Sequence, residues 1–229
     1  RSDMALSGKL FHIEVGIPIE ELIKKLDGFR KVSTDPTSGE ELLTEIELMK
    51  TSEDVVDGYL HEDSVIFRSY KRELRAIPVT MTNRFIFFRR GDLILLLVLA
   101  KRRRANKIAN LLSEILFLKQ GFIVEAEISH ETLKSLHEEN PEATKVIYFD
   151  QVDIPNVEKL SLYGSSLATT GLYAEYLRHG KIWYVVYHHK KGVTVGITRN
   201  CVIVAFTSMS EDEFVNFVVN EIAPLLEAR

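Results

Sequence analysis

Apolar and polar residues alternate through KLFHIEVG, residues 9–16, and that alternation predicts a strand. The next stretch, IPIEELIKKLDG, changes to a helical period, with Ile19, Leu22, Ile23 and Leu26 on one face and Gly28 as a stop. STDPTSGE, Ser33–Glu40, reads as a loop by composition. Four strand-like runs follow, LLTEIELMK, GYLHEDSVIFRSY, IPVTMTNRFIFFRR and DLILLLVLA, with RRGD turning between the last two. An amphipathic helix over Ala105–Phe117 closes this half, its apolar stripe made by Ile108, Ala109, Leu112, Ile115 and Leu116.

The second half repeats this order. FIVEAEIS predicts a strand and HETLKSLHEEN a helix ending at Pro141. TKVIYFDQVD, EKLSLYG, LYAEYLRHG, KIWYVVYHH and VTVGITRNCVIVAFTS then read as strands, and SEDEFVNFVVNEIAPLL as the last helix. Ile17–Leu26 aligns with Ile128–His137 at an offset of 111, and RRGDLILLLVLA aligns with TRNCVIVAFTSM at an offset of 109. Two nearly equal offsets point to a tandem duplication, with repeats at 4–120 and 121–229. The expected fold class is α+β: a strand-helix-(antiparallel strands)-helix unit used twice, forming one curved antiparallel sheet with helices on one face. The alternative is two separate small α+β domains joined near Leu118–Gly121. In element order across most of the chain, this arrangement resembles the saddle of the TATA-box-binding protein family. That resemblance implies a fold and carries no site residue with it.

Composition changes the picture little. The 229 residues are 45% hydrophobic and 27% charged, as in an ordinary globular protein large enough to bury a core. The single cysteine, Cys201, excludes an intrachain disulfide and a cysteine-built zinc site, and is expected as a buried small hydrophobe in a reducing compartment. Arg1-Ser2-Asp3 read as a cloning remnant ahead of a native Met4, and no signal peptide follows. The longest apolar run, Leu93–Ala100, falls short of the roughly 18 residues a membrane span needs, so a soluble, cytoplasmic protein with no membrane partner is expected. Only Gln120 and Gln151 represent glutamine beside abundant Lys, Arg and Glu, a thermophile-like bias.

Charge changes it more. The net charge of −4 hides a basic middle: residues 68–120 carry 13 Lys/Arg against 3 Asp/Glu, a local +10, while the segments before and after carry −8 and −6. Lys101, Arg102, Arg103 and Arg104 stand where a helix should start, the end of the helix dipole that disfavours cations. The duplicated position has Ser210-Glu211-Asp212-Glu213, a capping box with acids in the first turn. One repeat obeys helix-capping preference and the other contradicts it, and a bound anion would account for the difference. Arg89 and Arg90, and Lys71, Arg72 and Arg75, are expected to extend this basic surface.

The remaining chemistry is sparse. Phe85, Phe87 and Phe88, and Trp183, Tyr184 and Tyr187, could stack on bases, although core filling is the default for such residues. His188-His189 point apart in a strand and do not share a metal; Asp150 and Asp153, or Glu45 and Glu47, lack a third ligand or a lysine. YGSSLATTG has no nucleophile elbow around Ser165 or Ser166, and no phosphate-binding glycine motif occurs in the chain. No catalytic residue, metal ligand or cofactor is assigned. The expectation is a non-enzymatic binder of nucleic acid or another polyanion, the alternative being a protein-interaction scaffold whose basic surface meets an acidic partner or a second copy.

Overall fold

The computed structural model describes residues 5–226; Met4 and the last three residues of the second expected repeat lie outside the described residues. The protein is mixed α/β, with antiparallel strand pairing and, among the described residues, twelve strands and five α-helices. Strand β1 (Leu6–Ile13) opens the chain. Two compact units follow from the contacts, residues 12–124 and residues 5–11 with 125–226, so most of β1 folds with the C-terminal half.

In the unit of residues 12–124, α1 (Ile19–Leu26) buries Ile19, Leu22 and Leu26. Glu20 and Glu21 in its first turn and Lys24 and Lys25 in its last suit the helix dipole. A meander follows: β2 (Arg30–Thr34), β3 (Glu41–Thr51), β4 (Val55–Tyr70), β5 (Glu73–Arg90) and β6 (Leu93–Val98). β2 takes in Ser33 and Thr34, which composition assigned to a loop; pairing with Leu42 and Glu41 outweighs their turn preference. Helix α2 (Arg102–Phe117) then buries Ala105, Ile108, Ala109, Leu112, Ser113 and Leu116. Lys25 Nζ donates to the Leu116 carbonyl at 2.6 Å, tying α1 to the last turn of α2. Leu118 ends α2 in the left-handed conformation, φ 57°.

The strands differ in how far their neighbours follow them. β3 pairs with β4 only as far as Thr44 opposite Glu62, and β6 pairs with β5 only as far as Val98 opposite Phe85. The β4–β5 ladder runs on alone, from Asp63 opposite Thr80 to Tyr70 opposite Glu73. Eight residue pairs thus form a two-stranded ribbon that outruns the sheet by about 27 Å at the usual strand rise.

β7 (Ile123–Glu125) spans the boundary at residue 124, and in the other unit it is followed by α3 (His130–Glu138), β8 (Thr144–Asp150), β9 (Leu160–Tyr163), α4 (Gly171–His179), β10 (Lys181–His188), β11 (Thr194–Thr198), β12 (Val202–Ala205) and α5 (Glu211–Phe217). Its antiparallel sheet has the order β1-β12-β11-β10-β8-β9. Ser129, Thr170 and Ser210 cap α3, α4 and α5, each side-chain oxygen accepting a backbone N–H of the first turn. Ile147, Phe149, Val185, Ile197, Ile203 and Phe214 are buried at its core. LYAEYLRHG, expected as a strand, is helix α4. Its aromatic content favoured a strand, but the Thr170 cap, the last-turn Arg178 and His179, and Tyr173 and Tyr176 packing against Phe149 (centroids 6.4 and 5.7 Å) select the helix. VTVGITRNCVIVAFTS is two strands rather than one, broken at Cys201, whose φ is 55°.

Candidate nucleic-acid interface

Lys101 is the N-cap of α2, and its side chain makes no capping hydrogen bond. The first turn of that helix contains no acid. Lys101, Arg102 and Arg103 are exposed, and no ion pair joins them to any of the described residues. Arg104 behaves differently. Its Nε donates to Asn83 Oδ1 at 2.9 Å and its Nη1 to Glu62 Oε1 at 2.8 Å, and its side chain is 18% exposed. Lys107 Nζ reaches the same Glu62 oxygen at 3.1 Å. Burial pushes the Glu62 carboxyl up, but the hydrogen bonds from Arg104 and Lys107 outweigh it and hold the group below the usual carboxylate range. Arg104 is therefore a structural residue that seats α2 on β4 and β5, and the three cations before it are free for other contacts.

The bond to Glu62 and Asn83 also fixes which face of the strands α2 covers. In register, that face carries Val56, Leu60, Glu62, Ser64, Ile66, Arg68 and Tyr70 of β4, opposite Phe87, Asn83, Met81, Val79, Ile77, Arg75 and Glu73 of β5. Followed outward along the ribbon, it brings Arg68 and Arg75 directly opposite each other near the tip. Six residues separate Glu62 from Arg68, about 20 Å of strand, so the α2 start and the ribbon tip are separate cationic clusters of one unit.

The tip is strained in a telling way. Lys71 and Arg72 form the two-residue turn, and both have positive φ, 50° and 69°. That geometry matches the twist of a hairpin, but it favours Asn-Gly, and each ordinary L-residue held there costs about 1–2 kcal/mol. Directly opposite like charges, as at Arg68 and Arg75, are also unfavourable across a strand pair. Tyr70 offsets part of this: the Arg75 guanidinium lies 4.8 Å and the Lys71 ammonium 5.4 Å from its ring centroid. Arg75 also approaches Glu73 at 3.6 Å. Arg68 and Tyr70 are absent from the residues singled out in the sequence; the register of SYKREL as a tight turn would have placed both.

Arg89 and Arg90 do not join these clusters. They lie at the other end of β5, Arg90 opposite Leu93, and Arg89 Nε is held by Asp54 Oδ1 at 3.1 Å. Phe85, Phe87 and Phe88 are buried and fill the core. Trp183 and Tyr184 are half-buried, and Tyr187 is buried. His188 is exposed while His189 is buried 3.4 Å from Glu221; Asp150 pairs with Arg199, and Asp153 with His179 at 2.7 Å. Among the described residues, no group of three His, Cys, Asp or Glu converges on a metal position, and no helix is long and apolar enough to cross a membrane. An open hollow of about 550 Å³ beside α5 is lined by Lys191, Thr207, Ser208, Glu213, Asn220 and Glu221 among others.

Fold and site together define a mixed α/β protein that carries a cationic β-ribbon and a cationic helix start on one of its two units. No protein-family model and no curated protein matches the chain.

Proposed function

We propose that the protein is a non-catalytic binder of nucleic acid or a comparable polyanion, which it grips through Lys101, Arg102 and Arg103 at the start of α2 and through Arg68, Lys71, Arg72 and Arg75 on the ribbon. One observation carries the reading. At the helix start, in the tight turn and across the ribbon, cations occupy positions that local physics disfavours, and Lys101, Arg102 and Arg103 have no ion-pair partner among the described residues. A phosphate chain offsets the two electrostatic penalties, at the helix start and across the ribbon, by supplying the missing negative charge. A two-stranded ribbon also has the width that the major groove of a duplex admits. Arg89 and Arg90 support binding only as outlying charge.

The test is salt. Each neutralised phosphate contributes about 0.9 to the slope of log affinity against log salt on a duplex. The triple variant K101S/R102S/R103S, which leaves Arg104 on Glu62, flattens that slope by about 2–3 and keeps the fold. An unchanged slope with unchanged affinity overturns the assignment of these residues.

A second observation favours a protein-docking reading. Ile66, Phe67, Tyr70, Leu74 and Ile77 are all exposed on the ribbon, Leu74 at 71%. Exposed apolar clusters of this kind mark contact surfaces, and the basic tip suits an acidic protein surface or an acidic region of a second copy. Light scattering at low and high salt without nucleic acid separates the two readings: association that dissolves in salt, or that F67D/L74D abolishes, supports docking. We also propose that the two units descend from one duplicated element. Each runs helix, antiparallel strands, helix, and the N-caps Lys101 and Ser210 stand at the same offset of 109 as the strands before them. The inserted α4 and the β10-β8-β9 order are later departures.

A further inference from the structure

One face of the sheet in the C-terminal unit is covered with aromatic rings. By register, Tyr148 of β8 lies opposite Tyr184 of β10 on one side and Ser161 of β9 on the other, and Tyr163 lies opposite Val146. The other side of the same strands, Ile147, Val185 and Leu162, is buried core. Between Ile182 and Tyr184 the register of β10 slips, and Trp183 is the extra residue. Such a bulge re-aims a side chain, here onto the ring face. The Tyr148 ring stands 5.7 Å from Tyr163, 5.6 Å from Trp183 and 5.2 Å from Tyr184, centroid to centroid, at interplanar angles of 67°, 50° and 57°. Tyr163 is 65% exposed. Tyr184 lies over Gly196, where any Cβ would collide with its ring and hydroxyl, so the sheet is kept bare to seat it.

Four features set this surface apart from packing. The rings lie on the side of the strands away from the core, so the fold of this unit does not need them there. Cations surround them: Lys159 Nζ lies 5.6 Å from the Trp183 ring centroid, and Lys181, exposed, shares the face by its register with Asp150, whose charge Arg199 neutralises. Trp183 Nε1 is buried and has no acceptor among the described residues. Finally, the Tyr148 and Tyr163 hydroxyls bond each other, and that bond pushes the Tyr148 phenol up to about 12.

We infer that Tyr148, Tyr163, Trp183 and Tyr184, with Lys159 and Lys181 at the margin, form a stacking platform for the bases of single-stranded nucleic acid. Mutually tilted rings offer separate π-faces to successive unpaired bases, and flanking ammonium groups meet the phosphates between them; stacking of this kind is sequence-tolerant. The inference rests on the nucleic-acid reading above, but names a site on the other unit and a strandedness that the basic residues do not specify.

The chain has one tryptophan, so Trp183 fluorescence reports this platform alone. The probe is an end-labelled single strand of about a dozen thymidines, followed by anisotropy and by Trp183 quenching. Wild type is expected to bind with quenching, whereas polyphosphate, which has charge and no bases, leaves the emission unchanged. Tyr163→Ala, at an exposed position, weakens binding by between about fivefold and about a hundredfold with the salt slope unchanged, and Tyr163→Phe restores it. If the strand binds without quenching and Tyr163→Ala has no effect, the platform is overturned while the basic-site reading stands. If quenching follows polyphosphate equally, the site reads charge and the platform is again overturned. If no nucleic acid binds at all, both fall.

Discussion

The start of α2 can be rebuilt on the pattern of α5. Ser210 caps α5 through its side chain, Glu213 closes the capping box, and Glu211 and Asp212 fill the first turn. The matching positions in α2 are Lys101, Arg102 and Arg103, with no side-chain cap and no acid in the first turn. The variant K101S/R102E/R103D therefore gains an N-cap worth about 1 kcal/mol and replaces two unfavourable charges with favourable ones, each worth about 0.3–1 kcal/mol. Arg104 stays, because its bond to Glu62 holds the helix down. The sum is about 2–3 kcal/mol of added stability, and at about 2–4 °C per kcal/mol for a chain of this size Tm rises by roughly 5 °C or more. Thermal unfolding by calorimetry measures that rise, and anisotropy with a labelled duplex measures affinity on the same preparation. The expected outcome is a more stable protein that binds less well, the exchange found where function holds residues in locally unfavourable places. A Tm that stays level or falls refutes the reasoning, because it would mean that Lys101, Arg102 and Arg103 are already satisfied within the fold.

The ribbon turn makes a similar forecast: Lys71→Asn with Arg72→Gly, which suits the positive φ values, stabilises by about 1–3 kcal/mol in thermal unfolding and weakens duplex binding. Glu62→Ala leaves half-buried Arg104 without its carboxylate and costs about 1–3 kcal/mol, seen as a lower denaturant midpoint, whereas Lys107→Ala, at a side chain 65% exposed, changes stability by less than about 1 kcal/mol. His130 and His189 each accept a backbone N–H at Nδ1, from Ile182 at 2.8 Å and Lys191 at 3.0 Å, and burial lowers both below the ordinary imidazole range. Protonation is thus penalised in the folded state: their stabilisation is present above about pH 6.5 and is lost as pH falls through the lowered values. Tm should drop between about pH 7.5 and about pH 5.5, and drop less in H130N/H189N, whose amide oxygens can still accept those N–H groups.

Much of the architecture was legible in the chain because its signals are local. The strand-like runs of β3, β4 and β5, the continuous apolar run of β6, the cap at Ser210 and the contradiction at Lys101 all depend on near neighbours. The rest depended on where other strands end. Nothing in GYLHEDSVIFRSY or IPVTMTNRFIFFRR says that β3 stops pairing at Glu62 and β6 at Phe85, so the same alternation reads as sheet whether or not anything lies beside it. The turn at Lys71-Arg72 carries no glycine, asparagine or proline, and the usual punctuation was missing there. The aromatic face was hidden for a third reason. Strict alternation places Trp183 and Tyr184 on opposite sides of β10, and only the bulge brings them together. At α4, aromatic composition and helix capping gave opposite answers, and capping prevailed.

The ribbon has a consequence for how the protein comes apart. Eight residue pairs with no flanking strand open far more readily than the sheet they extend, and the point farthest from it is a pair of basic residues, Lys71 and Arg72. A trypsin-like protease meets its preferred bond at an exposed turn. A single nick there leaves β4 anchored to β3 and β5 anchored to β6, so the two fragments stay assembled after the tip is severed. Limited digestion thus offers a switch without mutation: one cut disarms the tip while the folded particle persists.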